Sequence, residues 1–143
     1  MNLSIRSLAV GLVLSAHLAM GQAEAVRLFE GRWITEDRNG VYAVSGCPVG
    51  LCGTIVGVKP HLNSKGKPDA TCGVRVLTLT KWNAQRKRWE GKVLDPESNK
   101  TYGASLEISK EGSPVMRASW SVFQYSDKWS RFNGSIGGQC EIK

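Results

Sequence analysis

The stretch Trp89–Ile108, WEGKVLDPESNKTYGASLEI, decides the fold of this chain. In both of its arms apolar side chains alternate with polar ones. Successive side chains of a β-strand point to opposite faces, so each arm has one apolar face and one wet face. Between the arms, Asp95 and Pro96 open a type I turn, and Asn99 can take the left-handed conformation that returns the chain. The stretch therefore predicts an antiparallel hairpin with one buried face.

The rest of the chain repeats this alternation in short segments from Phe29 onward, with turn residues between them. Glycines at Gly53 and Gly57 inside one segment indicate sharp coiling or a bulge, as the closing of a barrel requires. No segment after residue 25 has convincing helical periodicity, so the domain is predicted to be all-β. The first predicted strand begins at Phe29, and residues 125–127 are predicted to lead into the last. The other predicted strands are residues 41–45, 51–59, 74–82, the two hairpin arms, 116–122 and 128–132.

Eight short strands joined mostly by hairpin turns predict an antiparallel up-and-down barrel, which removes exposed sheet edges by closing on itself. A two-sheet sandwich is the alternative architecture. An eight-stranded barrel has an interior that side chains fill or that holds one small ligand. The prediction is one domain over residues 26–143, with a Gly-rich tail from about residue 133 that is ordered only if Cys140 ties it down.

Residues 1–25 read as a cleaved signal peptide. Arg6 supplies a positive start, residues 8–14 form a short apolar run, and Ala23-Glu24-Ala25 is a small-x-small cleavage signal. The run is too short to span a bilayer. The prediction is cleavage after Ala25 and a periplasmic or secreted protein that does not span the membrane; a retained N-terminal anchor is the alternative.

The net charge of +7 on 143 residues is not changed by removing residues 1–25. A basic exported protein can meet anionic lipid headgroups or acidic glycans, and export argues against nucleic acid as a partner. Excess charge that only maintains solubility is the competing interpretation.

The four cysteines, Cys47, Cys52, Cys72 and Cys140, all follow the predicted cleavage site. An even count in an oxidising compartment predicts two disulfides, with three connectivities open. Zinc is the competing interpretation, but the spacings do not form the paired C-x-x-C knuckles of a structural zinc site. No metal and no cofactor is predicted.

No catalytic residue is predicted. His61 is the only histidine after residue 25 and lies in a long polar segment, which is typical of a solvated residue. The carboxylates are scattered, so no facing pair of the kind that a glycosidase needs can be named. With the cysteines oxidised, a thiolate nucleophile is also excluded.

Aromatic side chains are the candidates for ligand binding. A cavity lined by Trp82, Trp89, Tyr102 and Trp120 is predicted to hold an apolar or aromatic ligand. The alternative is that these large rings fill a small barrel. Basic side chains flanking an opening would attract an anionic headgroup, and a solvated face is the alternative for them; the two basic clusters are Lys59-His61-Lys65-Lys67 and Arg86-Lys87-Arg88.

Two motifs at the ends of the domain resemble the lipocalin, or calycin, signature. They are Gly31-x-Trp33 in the first strand and Trp129-x-Arg131 in the last. In that superfamily the first tryptophan plugs the closed end of the barrel and the arginine lies across it. The resemblance implies a guanidinium stacked on the Trp33 indole, worth on the order of 1–2 kcal/mol.

The order and spacing of several short blocks resemble a family of small exported bacterial proteins catalogued as domain of unknown function 2147. The resemblance implies a calycin-like barrel and a periplasmic location, and it implies no established activity. Cys72 and Cys140 lie in segments that depart from the family pattern, which suggests that they pair with each other and leave Cys47 with Cys52. The blocks are Gly31-x-Trp33, residues 51–55, Trp89-x-Gly91-Lys92, Asp95-Pro96 with Thr101-Tyr102, and Trp129-x-Arg131.

The sequence thus predicts a periplasmic, non-catalytic, lipocalin-like barrel. Its partner is expected to be a small amphipathic or acidic ligand, or a lipid or glycan of the cell envelope. Two alternatives come from other classes: an inhibitor-like protein interaction module that uses a basic loop, and a hydrolase of envelope polymer. The sequence does not determine the oligomeric state.

Overall fold

A computed structural model describes residues 21–60 and 71–143. These residues form one antiparallel sheet in which each strand from β1 to β7 pairs with the next in sequence, and β9 pairs with β1. The sheet thereby curls into a nearly closed up-and-down barrel, as predicted. The strands are β1 (Gly31–Ile34), β2 (Gly40–Cys47), β3 (Gly50–Val58), β4 (Arg75–Asn83), β5 (Arg88–Asp95), β6 (Lys100–Ile108), β7 (Pro114–Trp120), β8 (Phe123–Lys128) and β9 (Ser130–Arg131).

The hairpin predicted from residues 89–108 is confirmed. Strands β5 and β6 pair in unbroken register from Arg88 opposite Glu107 to Asp95 opposite Lys100. The Asp95 carboxylate accepts hydrogen bonds from turn residues, 3.0 Å from the Glu97 amide among them. Asn99 has φ 55°, the left-handed conformation that the turn requires.

The alternating connections place the hairpin turns at two ends of the barrel. We call one the closed end: it carries a short helix at residues 21–27 and the β2–β3, β4–β5 and β6–β7 turns. Phe29 is fully buried there, and the Trp89 indole donates a hydrogen bond to the Ala25 carbonyl at 3.4 Å. The opposite, open end carries the β1–β2, β5–β6 and β7–β8 turns, the end of β3 and the start of β4.

The predicted cleavage site falls within the helix at residues 21–27, where Ala25 is buried. Cleavage after Ala25 stays a prediction, and residues 1–20 lie outside the described part of the chain. Of residues 26–29, Phe29 is fully buried at the closed end, where its ring centroid lies 6.4 Å from that of Trp82.

The core runs through the barrel from the closed end to the middle. Most of its residues are inward members of the strands, as the alternation predicted, and they pack three tryptophans among aliphatic side chains. The buried cluster includes Phe29, Trp33, Val44, Leu51, Ile55, Leu77, Leu79, Trp89, Leu106, Met116 and Trp129.

The end of the predicted strand pattern was wrong in two respects. Residues 125–127, predicted to connect the last two strands, lie inside strand β8, and the turn is Ser121-Val122, with Trp120 paired to Phe123. Ser121 adopts φ 53°, although serine and valine give no strong hairpin signal. The predicted eighth strand, residues 128–132, holds only the last residue of β8 and, after Trp129, the short strand β9, so the described residues form nine strands instead of eight.

Both disulfides predicted from the segments that depart from the family pattern are confirmed. Cys47 pairs with Cys52 across the β2–β3 hairpin, and Cys72 pairs with Cys140 over a sequence separation of 68 residues. The second bond ties down the tail, which also bridges β3 where Glu141 pairs with Val58. The tail from residue 133 is therefore docked on the barrel.

The barrel closes where the first strand meets the last. Trp33 pairs with Arg131 in register, and the Arg131 guanidinium carbon lies 3.8 Å from the centre of the Trp33 ring. The guanidinium also donates a hydrogen bond to the Glu30 carbonyl at 3.0 Å. The stacking implied by the resemblance is thus present.

Gly31 makes room for this closure, which predicts a specific cost of substitution. Its φ is 133°, and a methyl group there would meet the Arg131 guanidinium. We expect Gly31→Ala to lower the free energy of unfolding by about 3 kcal/mol, from backbone strain plus overpacking. Gly112→Ala is the control, because Gly112 has φ 83° with open space around it, and it should cost only about 1 kcal/mol. Equal losses in urea unfolding would show that the Arg131 contact is not a constraint.

Candidate functional site

A cavity of about 270 Å³ opens at the open end of the barrel. Its floor is made of inward aliphatic and methionine side chains, and its rim is made of polar side chains from the turns. The residues that the structure describes around it are Thr35, Asp37, Asn39, Gly40, Tyr42, Ile55, Val58, Thr71, Val76, Val93, Leu94, Asp95, Pro96, Glu97, Met116, Tyr125 and Asp127.

Asp127 is the buried carboxylate of this cavity, with 5% of its surface exposed. It points inward because it lies opposite Met116, an inward residue of β7. One oxygen accepts a hydrogen bond from the Glu36 amide at 3.0 Å, and the other accepts one from the Trp129 indole at 2.9 Å. Two donors hold the carboxylate in place, and neither of them carries a positive charge.

Tyr42 and Trp129 form an aromatic wall beside Asp127. Their rings stack with centroids 4.9 Å apart and an interplanar angle of 17°. Burial, together with the smaller effects of the nearby Asp127, Tyr125 and Asp37, raises the pKa of Tyr42 to about 12. The pKa of Tyr125 is also raised, first by burial and then by Asp127 and other acids. The phenols therefore stay neutral at physiological pH, in a negative field.

The raised pKa of Tyr42 predicts how stability depends on alkaline pH. The folded state keeps this proton up to about pH 12, whereas an unfolded tyrosine loses it near pH 10. The contribution is complete below pH 10 and is lost as pH rises toward 12, so stability should fall across that window. Tyr42→Phe should lose less stability between these pH values in guanidinium unfolding. An equal loss in both proteins would contradict the assignment.

The described lining contains four carboxylates, Asp37, Asp95, Glu97 and Asp127, and no Lys, Arg or His. This composition is opposite to that of the whole chain, which has 19 Lys and Arg against 12 Asp and Glu. A cleft lined by one sign of charge attracts ions of the other sign. Within the described residues the cavity is therefore a negative site in a positive protein.

Two of these carboxylates are held by the turns that carry them. Asp37 accepts hydrogen bonds from the Thr35 hydroxyl at 2.6 Å and from the Asn39 amide at 3.0 Å. The Thr35 hydroxyl is the main cause that lowers the pKa of Asp37. Asp95 likewise accepts a 2.6 Å bond from the Ser98 hydroxyl. Both side chains are thus positioned, and Asp37 is held ionised.

No group of three or more His, Cys, Asp or Glu side chains in the described ranges is close enough to hold a metal ion. The cavity carboxylates come from separate turns and from β8, which keeps them apart around the rim. Their arrangement is wider than the coordination shell of a small ion requires.

The structure divides the four predicted ligand residues between the two ends of the barrel. Trp82 and Trp89 pack against each other at the closed end, with ring centroids 5.6 Å apart. Tyr102 and Trp120 contact each other near the open end at 5.4 Å. None of the four lines the open-end cavity.

The β7–β8 hairpin forms an aromatic lip beside the cavity, which we define as Trp120–Phe123. Trp120 and Phe123 stack at 6.0 Å and are 44% and 61% exposed, and Val122 at the tip is 86% exposed. Strand β1 pairs with β9 and not with β8, so residues 123–126 have no strand on their outer edge within the described chain. The lip thus combines exposed rings with a free strand edge.

The two predicted basic clusters have different locations. Arg86, Lys87 and Arg88 lie at the β4–β5 turn, at the closed end, so they do not flank the open-end cavity. Arg88 is paired there with Glu90 at 2.6 Å. Of the other cluster, Lys59 follows β3, and its remaining members lie in residues 61–70, outside the described residues.

Two further depressions lie elsewhere. One of about 430 Å³ is lined mainly by outward residues of β5 to β8, including Arg117 and Gln124, and so lies on the outer wall. The other, of about 350 Å³, lies between residues 22–26 and the Cys47–Gly50 turn. Among the three, the open-end cavity is the one formed by side chains inside the barrel together with a buried carboxylate.

Tyr42, Tyr125 and Asp127 are site residues that the sequence analysis does not name. Tyr42 belongs to a predicted strand, whereas Tyr125 and Asp127 fall in a segment predicted to connect two strands. The signal that could have found them is the alternation Phe123, Tyr125, Asp127, which continues the period of two through β8.

Comparison with known proteins gives one match. No curated protein and no solved structure matches the chain. Within the described residues no helix has the length and apolar character to cross a membrane. A family described as "Uncharacterized protein conserved in bacteria (DUF2147)" matches residues 31–131, from Gly31 at the closure to Arg131. That span takes in all nine strands and both halves of the Trp33–Arg131 contact, and the chain therefore belongs to the DUF2147 family.

Proposed function

We propose that this protein is an exported, non-catalytic, lipocalin-like barrel that binds a small amphipathic molecule in its open-end cavity. The observation that carries the proposal is the cavity itself. It has an apolar floor at Ile55, Val76 and Met116, and a polar rim with the buried Asp127 carboxylate. Small-molecule sites commonly combine apolar walls with a few fixed polar groups.

The lowered pKa of Asp37 and the hydrogen bonds of the other cavity carboxylates support a binding role over a catalytic one. A general acid at neutral pH needs a raised pKa, whereas that of Asp37 is lowered by the Thr35 hydroxyl. Asp127 and Asp95 already accept hydrogen bonds from neighbouring groups. These contacts fix a charge pattern that can orient a ligand.

An exported location is supported by two independent features. Residues 6–25 have the charge, apolar run and small-residue pattern of a cleaved signal. The four cysteines form two disulfides, and disulfides form and persist in oxidising compartments. We propose the periplasm as the compartment.

The experiment is native mass spectrometry of the protein purified from its own periplasm. We expect a retained small molecule that adds a defined mass. Val93→Phe should remove it, because Val93 lines the cavity and a larger ring would occupy the space. Val122→Phe is the matched control, since Val122 is exposed at the lip. If the wild-type protein carries nothing, or if Val93→Phe retains the mass, the proposal is wrong.

A protein interaction module is the second candidate function, and the aromatic lip is the observation that favours it. The free edge of residues 123–126 offers backbone groups to an extended segment of a partner, and Phe123 and Tyr125 offer side-chain contacts. This candidate moves the contact from the predicted basic loop to the β7–β8 hairpin. It would gain support if Val122→Lys abolished a partner's binding while the retained small molecule stayed in place.

A further inference from the structure

The cavity's charge distribution limits the kind of ligand that it can take. All four charged side chains in the described lining are acidic. Asp127 is 95% buried and is held by two neutral donors, so its negative charge is not cancelled by a paired cation within the described residues. A buried charge without a partner is costly, and a bound cation would lower that cost.

The size of the site argues for an organic cation over a metal ion. The described residues contain no group of three ligating side chains. The cavity of about 270 Å³ is also far larger than one ion needs. Its carboxylates surround a volume that suits a molecule with several non-hydrogen atoms.

The walls suit a cation attached to an apolar body. Tyr42 stacks on Trp129 next to Asp127, and Tyr125 also lines the cavity. Aromatic faces attract desolvated ammonium groups, worth about 0.5–2 kcal/mol. Val76, Val93 and Met116 would pack against the apolar part. The acidic ligand expected from the chain's positive charge is disfavoured, because no Lys, Arg or His lines the cavity among the described residues.

We infer that the open-end cavity selects a small organic cation, an ammonium group on an apolar or aromatic body, with Asp127 as its buried counter-ion and Asp37 at the rim. The inference rests on the proposed function, since it names the ligand class of that same cavity. The ammonium donates hydrogen bonds to the oxygens of Asp127, each of which accepts one hydrogen bond within the described residues and keeps an unused acceptor position.

The test uses three probes that share a phenylethyl-sized body and differ in charge: 2-phenylethylammonium, 2-phenylethanol and phenylacetate. Isothermal titration calorimetry should give 2-phenylethylammonium an affinity about tenfold above that of 2-phenylethanol, with phenylacetate weakest. The advantage of the ammonium should shrink as salt is added, because screening weakens the attraction. Equal affinities for the ammonium and the alcohol, or tighter binding of phenylacetate, would overturn the inference.

Variants separate the site from the protein's overall charge. Asp37→Asn keeps a hydrogen-bond acceptor for its turn. It should lower the affinity for 2-phenylethylammonium by about fivefold and leave the affinity for 2-phenylethanol unchanged. Glu111→Gln changes the net charge equally but lies at the β6–β7 turn, at the closed end, and should change neither. Asp127→Asn should remove the ammonium advantage, and Asp37→Asn keeps the test valid if Asp127→Asn fails to fold.

The outcomes distinguish this inference from the proposed function. If the alcohol binds as well as the ammonium, the cavity is a ligand site without charge selection, and only the inference fails. If none of the probes binds while the periplasmic protein retains a molecule, the inference fails and the proposed function stands. If Glu111→Gln weakens the ammonium as much as Asp37→Asn, the attraction is a property of net charge and the inference fails.

Discussion

Trp129→Ala should lower the free energy of unfolding by about 3–5 kcal/mol, the largest effect expected of any single substitution here. Trp129 is fully buried, stacks on Tyr42 and donates its indole N–H to Asp127. The substitution leaves a large void and also removes one of the two donors that satisfy a buried carboxylate. Since small domains are stable by only about 5–15 kcal/mol, a large part of the protein should unfold under mild denaturant.

Trp120→Ala is the matched control for this prediction. It deletes the same side chain from the exposed lip, where the ring is 44% exposed and contacts Tyr102 and Phe123. Its cost should be about 1 kcal/mol, the worth of a partly exposed aromatic contact. Guanidinium unfolding followed by circular dichroism measures both. Similar midpoints for the two variants would mean that Trp129 does not hold the junction of β8 and β9.

The second large effect is expected from the disulfide between Cys72 and Cys140. It closes a separation of 68 residues and fixes the tail to the barrel. A cross-link of that span limits the unfolded chain strongly, so Cys72→Ser with Cys140→Ser should cost roughly 4 kcal/mol. The tail should also lose its pairing with β3, where the Ile142 amide bonds to the Val58 carbonyl at 3.1 Å.

The other disulfide provides the control. Cys47 and Cys52 are separated by 5 residues in a hairpin, so replacing both with serine should cost roughly 2 kcal/mol. Thermal unfolding of the two double variants at equal pH measures the difference. Hydrogen exchange should add a second readout, with faster exchange in residues 136–143 only when the longer link is removed. A larger loss for the shorter link would contradict this account.

The barrel could be predicted because local patterns and global closure agree. The hairpin at residues 89–108 carries its own turn chemistry in Asp95, Pro96 and Asn99, and all three act as the pattern indicated. The Trp33–Arg131 contact came from a resemblance, since nothing in spacing alone brings two residues so distant in sequence together. The pairing of Cys72 with Cys140 likewise depended on recognising which segments depart from the family.

The last strands could not be predicted because their turn lacks turn residues. Ser121 adopts a left-handed conformation, but the Ser121-Val122 sequence lacks the Asn or Gly that usually indicates such a turn. The break at Trp129 arises because this residue turns inward to stack on Tyr42, which ends the ladder with β7 before the pairing with β1 begins. Both features depend on contacts between distant parts of the chain.

The cavity was harder to predict than the fold for a similar reason. Asp37 and Asp95 each form hydrogen bonds within their own turns, and neither turn sequence predicts that both residues line one cavity. They meet Asp127 only because the strand register brings three separate segments to one end. The opposite holds for the four predicted aromatic residues. Their residue type groups Trp82 and Trp89 with Tyr102 and Trp120, but the strand register places the two pairs at different ends of the barrel.

Met116 offers the most direct measurement of ligand entry into the open-end cavity. It lies on the cavity floor, only 7% exposed, and it is the one methionine after residue 20. In protein labelled with ¹³C-methyl methionine and processed after Ala25, one methyl signal therefore reports on the cavity. We predict that 2-phenylethylammonium shifts this signal in a saturable way, and that Asp37→Asn weakens the response while Glu111→Gln does not. A bound probe that leaves the Met116 methyl signal unmoved would contradict the account.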